Sequence, residues 1–149
     1  MEWQLKTFEQ LSTSELYSIL KARVDVFVVE QNCPYPEVDN VDQACLHLFS
    51  EKNGEIIAYA RLIPSEILYP QASIGRVLIH KAHRGHGYAH QLMKKAIEVI
   101  NDDRKQSAIK LHGQEYLRHF YGSFGFKEIT EVYLEDNIPH VDMLLELAR

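Results

Sequence analysis

The stretch R-G-H-G-Y-A, Arg84 to Ala89, decides how the rest of the chain is read. It follows an apolar run, I-G-R-V-L-I-H (Ile74 to His80), with the character of a strand. After it, Ala89, Leu92, Met93, Ala96, Ile97 and Ile100 recur at the spacing of one helical face. Two glycines and an alanine therefore sit between a strand and the N-terminus of a helix over Gly87–Asn101. The first N–H groups of a helix lack internal partners, and the macrodipole adds about half a positive charge there. Gly85, Gly87 and Ala89, with Tyr88 between them, leave the backbone open to an anion such as a phosphate. Arg84 supplies a charged donor, and His83 or His86 a further one. The competing reading is a tight turn whose glycines only satisfy a positive φ.

Outward from the loop, the pattern alternates between strands and helices. W-Q-L-K-T-F (Trp3 to Phe8) reads as an edge strand. Ser12 with Glu15 forms a capping box and opens a helix whose Leu16, Ile19, Leu20, Val24 and Phe27 share a face. That helix fades near Glu30, where Q-N-C-P-Y-P breaks it. Ala44 to Ser50 and Glu55 to Ile63 flank the hairpin signal Asn53-Gly54. The strand Ser73 to His80 leads into the glycine loop and its helix. A strand over Ala108 to Gly113 and a short helix over Glu115 to Ser123 come next. F-K-E-I-T-E-V-Y-L and H-V-D-M-L-L-E-L then give two strands around the turn E-D-N-I-P. The order β-α-β-β-β-α-β-α-β-β implies a mixed α/β sheet with helices on its faces.

Bulk properties narrow the function classes. A chain of 149 residues fits one domain, 1–149, with a sizeable core. Its 46% apolar and 25% charged residues are ordinary for a globular protein. A net charge of -5 argues against non-specific nucleic-acid binding. Cys33 and Cys45 make no disulfide framework and fit a reducing compartment. The first ten residues lack the pattern of a signal peptide, and no apolar run is long enough to span a membrane. A cytoplasmic location is expected.

Neither common nucleotide motif is present: no Gly-Lys-Ser/Thr triplet follows a glycine, and there is no G-x-G-x-x-G. The loop instead resembles the acetyl-CoA signature [Q/R]-x-x-G-x-[G/A] of the GNAT N-acetyltransferases, through Arg84, Gly87 and Ala89. G-R-V-L-I-H resembles the family's splayed fourth strand. Q-E-Y-L-R-H-F-Y-G-S-F-G-F (Gln114 to Phe126) resembles its late helix, with Gln114 where that pattern has Asn and Leu117 where it has Ala. Val26 to Tyr35, Phe120 to Phe126 and Glu135 to His140 resemble the ElaA-type branch. The resemblance covers essentially the whole chain.

It implies a mostly antiparallel central sheet with helices on both faces. It also implies an enzyme that moves an acetyl group from acetyl-CoA directly to a primary amine. Residues 84–89, including His86 and Tyr88, the backbone of Val77, Leu78 and Ile79, and Gln114 would hold the cofactor. Tyr121 matches the family tyrosine that protonates the departing thiolate; the alternative is a tyrosine packed beside Phe120, Phe124 and Phe126. His47 or Glu30 is the expected base, with His140 as a third candidate. Direct transfer needs no acyl-enzyme, so Cys33 reads as a loop residue rather than a nucleophile. His80, His83, His86 and His90 are clustered, but without a zinc-binding pattern they read as solvated or phosphate-facing, and no metal is expected. Homodimers are common in this fold, although no apolar stripe demands one. The rival reading is a non-catalytic module of the same fold that holds acyl-CoA as a sensor.

Overall fold

Strand alternation and helical periodicity meet in a single eight-stranded sheet. It is seen in a computed structural model that describes residues 1–149. The elements are β1 (Gln4–Thr7), α1 (Thr13–Val24), β2 (Leu46–Lys52), β3 (Glu55–Ile63), β4 (Ala72–Ile79) and α2 (Tyr88–Asp102). They continue with β5 (Ala108–Gln114), α3 (Arg118–Gly122), β6 (Lys127–Glu128), β7 (Tyr133–Glu135) and β8 (Ile138–Glu146). The strands lie in the order β1-β2-β3-β4-β5-β8-β6, and β7 also pairs with β8. Every pairing is antiparallel except β4 with β5.

Alternation sorts the side chains between two cores. Leu48, Ala58, Ala60 and Leu62 face α2, against Leu92, Met93, Ala96 and Ile100. Phe49, Tyr59 and Leu78 face the other way, against Ile19 of α1. Helices thus cover both faces of the sheet. The capping box forms as the sequence implies: the Ser12 hydroxyl accepts from the Glu15 amide at 3.0 Å, and the Ser12 amide donates to the Glu15 carboxylate at 2.8 Å.

Two elements differ from the sequence expectation. The first helix ends at Glu30 as the sequence implies, but its last six residues, Asp25–Glu30, widen into a π-helical turn, with Val26, Phe27 and Glu30 lining a cleft. The strand expected over Phe126 to Leu134 divides into β6 and β7. The intervening residues form no bridge, although the Ile129 amide still donates to the Asp142 carbonyl at 2.9 Å. Asp136 and Asn137, both at positive φ (50° and 62°), then turn the chain tightly into β8.

β4 carries a bulge. Tyr59 pairs with Leu78 but Arg61 with Gly75, so β4 has one residue more than β3 in that interval. Arg76 lies in the bulge at φ 52°, a left-handed conformation that L side chains rarely adopt. Its Nε donates to Glu37 at 2.7 Å. Glu37 also accepts from the buried Arg23 at 2.7 Å. Arg23 reaches Asp42 at 2.8 Å, and Arg61 reaches Asp39 and Asp42 at 2.8 and 2.9 Å. This network ties residues 37–42, which have little regular structure, to α1, β3 and β4.

His47 belongs beneath that network and not in the cleft, which corrects its candidacy as a base. It is fully buried, with one ring nitrogen 3.0 Å from the Asp42 carbonyl and the other 2.7 Å from the Tyr59 hydroxyl. The carbonyl can only accept, so Nε2 carries the proton and Nδ1 accepts from Tyr59. Burial lowers the pKa of His47 and keeps the ring neutral.

A pH dependence follows. The unfolded chain takes up a proton at this histidine near pH 6.5 and the folded one only below that. Stability is therefore present above pH 6.5 and is lost as the pH falls toward the lowered folded value. Denaturation at pH 7 and pH 5 should show a steeper loss for the wild type than for His47→Gln. The difference should be at most about 1.4 kcal/mol per pH unit; equal slopes would contradict the assignment.

Candidate active site

The parallel pairing of β4 with β5 stops after two residues, Ala72 with Ile109 and Ser73 with Lys110. Beyond it the strands diverge, and their free edges line a cleft of about 930 Å³. Ile74 to Ile79 form one wall and Leu111 to Gln114 the other. The glycine loop and the N-terminus of α2 lie at one mouth.

The loop combines the backbone of a turn with an open face. Gly85 and Gly87 have φ of 85° and 78°, and a Cβ at either would meet no atom within 4 Å. The positive φ favours glycine, and the space beside it is open. Gly87 is the N-cap of α2 and no side chain caps the helix, so the first-turn amides remain without internal partners. Arg84 is more occupied than expected. Its Nε donates to the Ile79 carbonyl at 3.0 Å, and its terminal nitrogens donate to Glu30 at 2.7 and 3.0 Å. The loop's free donors are thus chiefly its backbone N–H groups.

That pairing also fixes the role of Glu30. It lines the cleft, but the hydrogen bond from Arg84 holds its carboxyl below the usual range. It is the counter-ion of Arg84, not an unoccupied base. Neither expected base, His47 or Glu30, therefore stands ready in the cleft.

The remaining expected residues divide cleanly. Val77, Leu78, Ile79, Gly85, Gly87, Tyr88, Ala89, Gln114 and Tyr121 all line the cleft. His86 does not; its ring lies beside that of Tyr88, with centroids 5.7 Å apart. The Gln114 amide donates across the cleft to Gln31 at 3.1 Å. Tyr121 is both packed and exposed to the cleft. Its ring lies edge-on to Phe120 and Phe126, and a Cβ on Gly113 would come within 3.0 Å of it. Burial, aided by neighbouring Tyr116, pushes its pKa up to about 12. The phenol is therefore protonated at neutral pH and able to donate.

The four clustered histidines do not converge. His80 sits 3.5 Å from Glu55 with His83 nearby, while His86 stacks toward Tyr88 and His90 toward Phe124. Two groupings, the first holding two of these four histidines, bring possible ligand atoms within 4.8 Å of one another: Glu55, His80 and His83 at the surface, and His112, Glu135 and His140 in the cleft. The second was not legible as a cluster in the sequence. Pairing of β5 with β8 and of β7 with β8 assembles it.

Comparison with known proteins agrees with this architecture. The profile described as "Acetyltransferase (GNAT) domain" matches residues 14–147. The chain belongs to the GNAT acetyltransferase family. It is 42% identical to protein ElaA of Escherichia coli, across all of this chain and 99% of that one. A UPF0039 protein of Schizosaccharomyces pombe is 45% identical over 99% of this chain and 98% of its own. The crystal structure of Escherichia coli ElaA superposes with a TM-score of 0.91, covering 97% of this chain and 99% of that one. An acyl-CoA N-acyltransferase from Pseudomonas aeruginosa, 41% identical, also reaches 0.91, over 97% and 98% of the two chains. The family places this protein among the acyl-CoA-dependent transferases. No helix is long and apolar enough to cross a membrane.

The open loop gives a direct prediction. Gly87→Val keeps a left-handed residue at the N-cap, at a strain of about 1–3 kcal/mol, and fills the space beside the amides. Calorimetry on the folded variant should show coenzyme A affinity reduced at least tenfold. Unchanged affinity would reduce the glycines to a turn.

Proposed function

We propose that this protein transfers an acetyl group from acetyl-CoA directly to a primary amine. The observation that carries the reading is the cleft itself. It has an unpaired helix N-terminus at one mouth, free edges of β4 and β5 along its length, and a protonated Tyr121 on its wall. The pyrophosphate would rest on the amides of residues 85–89. The pantetheine arm would bond to the β4 backbone over Val77 to Ile79, completing the ladder that β5 leaves open.

The chemistry assigns each group a task. An amine of lysine-like pKa is neutral only about once in 2,500 molecules at pH 7, about 4.6 kcal/mol uphill, so a base must take its proton. As nitrogen attacks, charge develops on the thioester oxygen and a backbone N–H near Leu78 stabilises it. Tyr121 protonates the thiolate as the C–S bond breaks. Cys33 is not needed: it is buried in the loop, and the one hydrogen bond of its thiol is a 4.0 Å contact with the Asp136 carbonyl.

A non-catalytic acyl-CoA-binding module would need the loop but not the tyrosine. Tyr121→Phe separates the two readings. Thiol release from acetyl-CoA with a panel of primary amines should fall by about 10²-fold or more in the variant, with acetyl-CoA affinity within twofold of wild type. Full turnover in the variant would remove Tyr121 from the mechanism. Binding without turnover in the wild type would favour the module.

A further inference from the structure

The cleft wall remote from the glycine loop carries titratable side chains that the mechanism above leaves unused. β5 and β8 place His112 opposite Asp142 and Gln114 opposite His140, and β7 places Tyr133 opposite His140. Leu111, Val141 and Met143, which alternate with them, point into the core that also holds Tyr121. His112, His140 and Tyr133 therefore occupy the other face of the sheet, on the far side of Gly113 from Tyr121.

Their hydrogen bonds distinguish the two histidines. The rings stack, with centroids 4.5 Å apart and planes 8° from parallel. His112 is engaged at both nitrogens: Nδ1 meets Asp142 at 3.0 Å and also the Tyr133 hydroxyl, and Nε2 contacts the Glu135 carboxylate. In His140, Nδ1 lies 2.7 Å from the Ile138 carbonyl. A carbonyl only accepts, so Nδ1 carries the hydrogen and Nε2 keeps its lone pair. No side chain or backbone group of the protein bonds to that Nε2. His140 thus offers an oriented, unoccupied base on the cleft wall.

We propose that His140 is the catalytic base that receives the acceptor's proton, with His112 and Glu135 as positioning residues. The proposal rests on the acetyl-transfer reading. The ammonium group of the acceptor gives one proton to Nε2 of His140. The freed lone pair forms the N–C bond with the thioester carbonyl carbon, and the C–S bond breaks. The thiolate takes the Tyr121 proton, the second proton lost from nitrogen restores the phenol, and His140 releases its proton to solvent. The products are the amide, free thiol and one proton. The groups facing His140 are His112 from β5, Tyr133 and Glu135 from β7, and Asp142 along β8, whose carboxylate also lies 3.5 Å from Lys110. The carboxylates of Glu135 and Asp142 favour an incoming ammonium.

The test uses two probe acceptors with the full-length protein: ethylamine, protonated at pH 7, and 2,2,2-trifluoroethylamine, already neutral there. His140→Gln should lower kcat/KM for ethylamine by about 10²–10⁴-fold. It should lower that for trifluoroethylamine less than tenfold and leave acetyl-CoA affinity unchanged. Equal losses for both amines, or none, would overturn the assignment. Nitrogen NMR of the histidine rings gives a readout independent of turnover: His140 should be the Nδ1–H tautomer, and an Nε2–H tautomer would overturn the proposal. Chelation with EDTA should leave the rates unchanged; a loss restored by Zn²⁺ would make the cluster a metal centre instead. A wild-type protein that binds acetyl-CoA but transfers to neither amine contradicts the transfer reading, and the base assignment falls with it.

Discussion

The divergence of β4 from β5 is the constraint on which the rest of the site depends. Two parallel strands that paired along their full lengths would close the sheet and leave nothing for a ligand arm to bond. Here pairing ends at Ser73 with Lys110. The bulge at Arg76 breaks the register of β4 on its other side. A left-handed arginine costs of order 1–3 kcal/mol unless its surroundings hold it. Glu37 does so by accepting from Arg76 and from buried Arg23 together.

The buried charges have a structural purpose more than a stabilising one. Ion pairs taken out of water recover little net free energy, and losing one partner leaves the other stranded. What Arg23, Arg61, Glu37, Asp39 and Asp42 achieve is position. They fix residues 37–42 against the sheet, and that holds neighbouring Tyr35 and Pro36 at the cleft. Charge is then distributed with polarity along the cleft. One mouth presents helix amides suited to an anion, while the opposite wall presents carboxylates and imidazoles suited to a cation. Tyr121, held neutral by burial, stands behind Gly113, where the absence of a side chain lets its ring approach the backbone.

The glycine loop was legible because its signal is local: strand, small residues and helix follow one another within the span Ile74 to Ile100. The two-sided packing was legible for the same reason, through alternation and helical spacing. His47 was misread because alternation says which residues share a face but not which face lies under a helix. Glu30 lines the cleft, but its partner Arg84 is distant in sequence, so the ion pair that occupies it could not be read there. The charge network was invisible because Glu37, Asp39 and Asp42 lie in a loop-rich segment, where acidic residues read as solvated, and their partners Arg23, Arg61 and Arg76 lie on three separate elements. The His112–Glu135–His140 group depends on β7 and β8 folding back on β5, and the division of β6 from β7 that allows it leaves no compositional mark.

The central claim is that the loop at 84–89 holds the phosphates of a CoA thioester whose arm lies between β4 and β5. Calorimetric titration of the protein with acetyl-CoA and with S-acetylpantetheine, which has the arm but no phosphates, tests it most directly. The structure predicts one-to-one binding of acetyl-CoA at micromolar concentration and at least about a hundredfold weaker binding of S-acetylpantetheine, a difference of about 2.7 kcal/mol. Equal affinity for the two compounds, or no binding of acetyl-CoA, would contradict it.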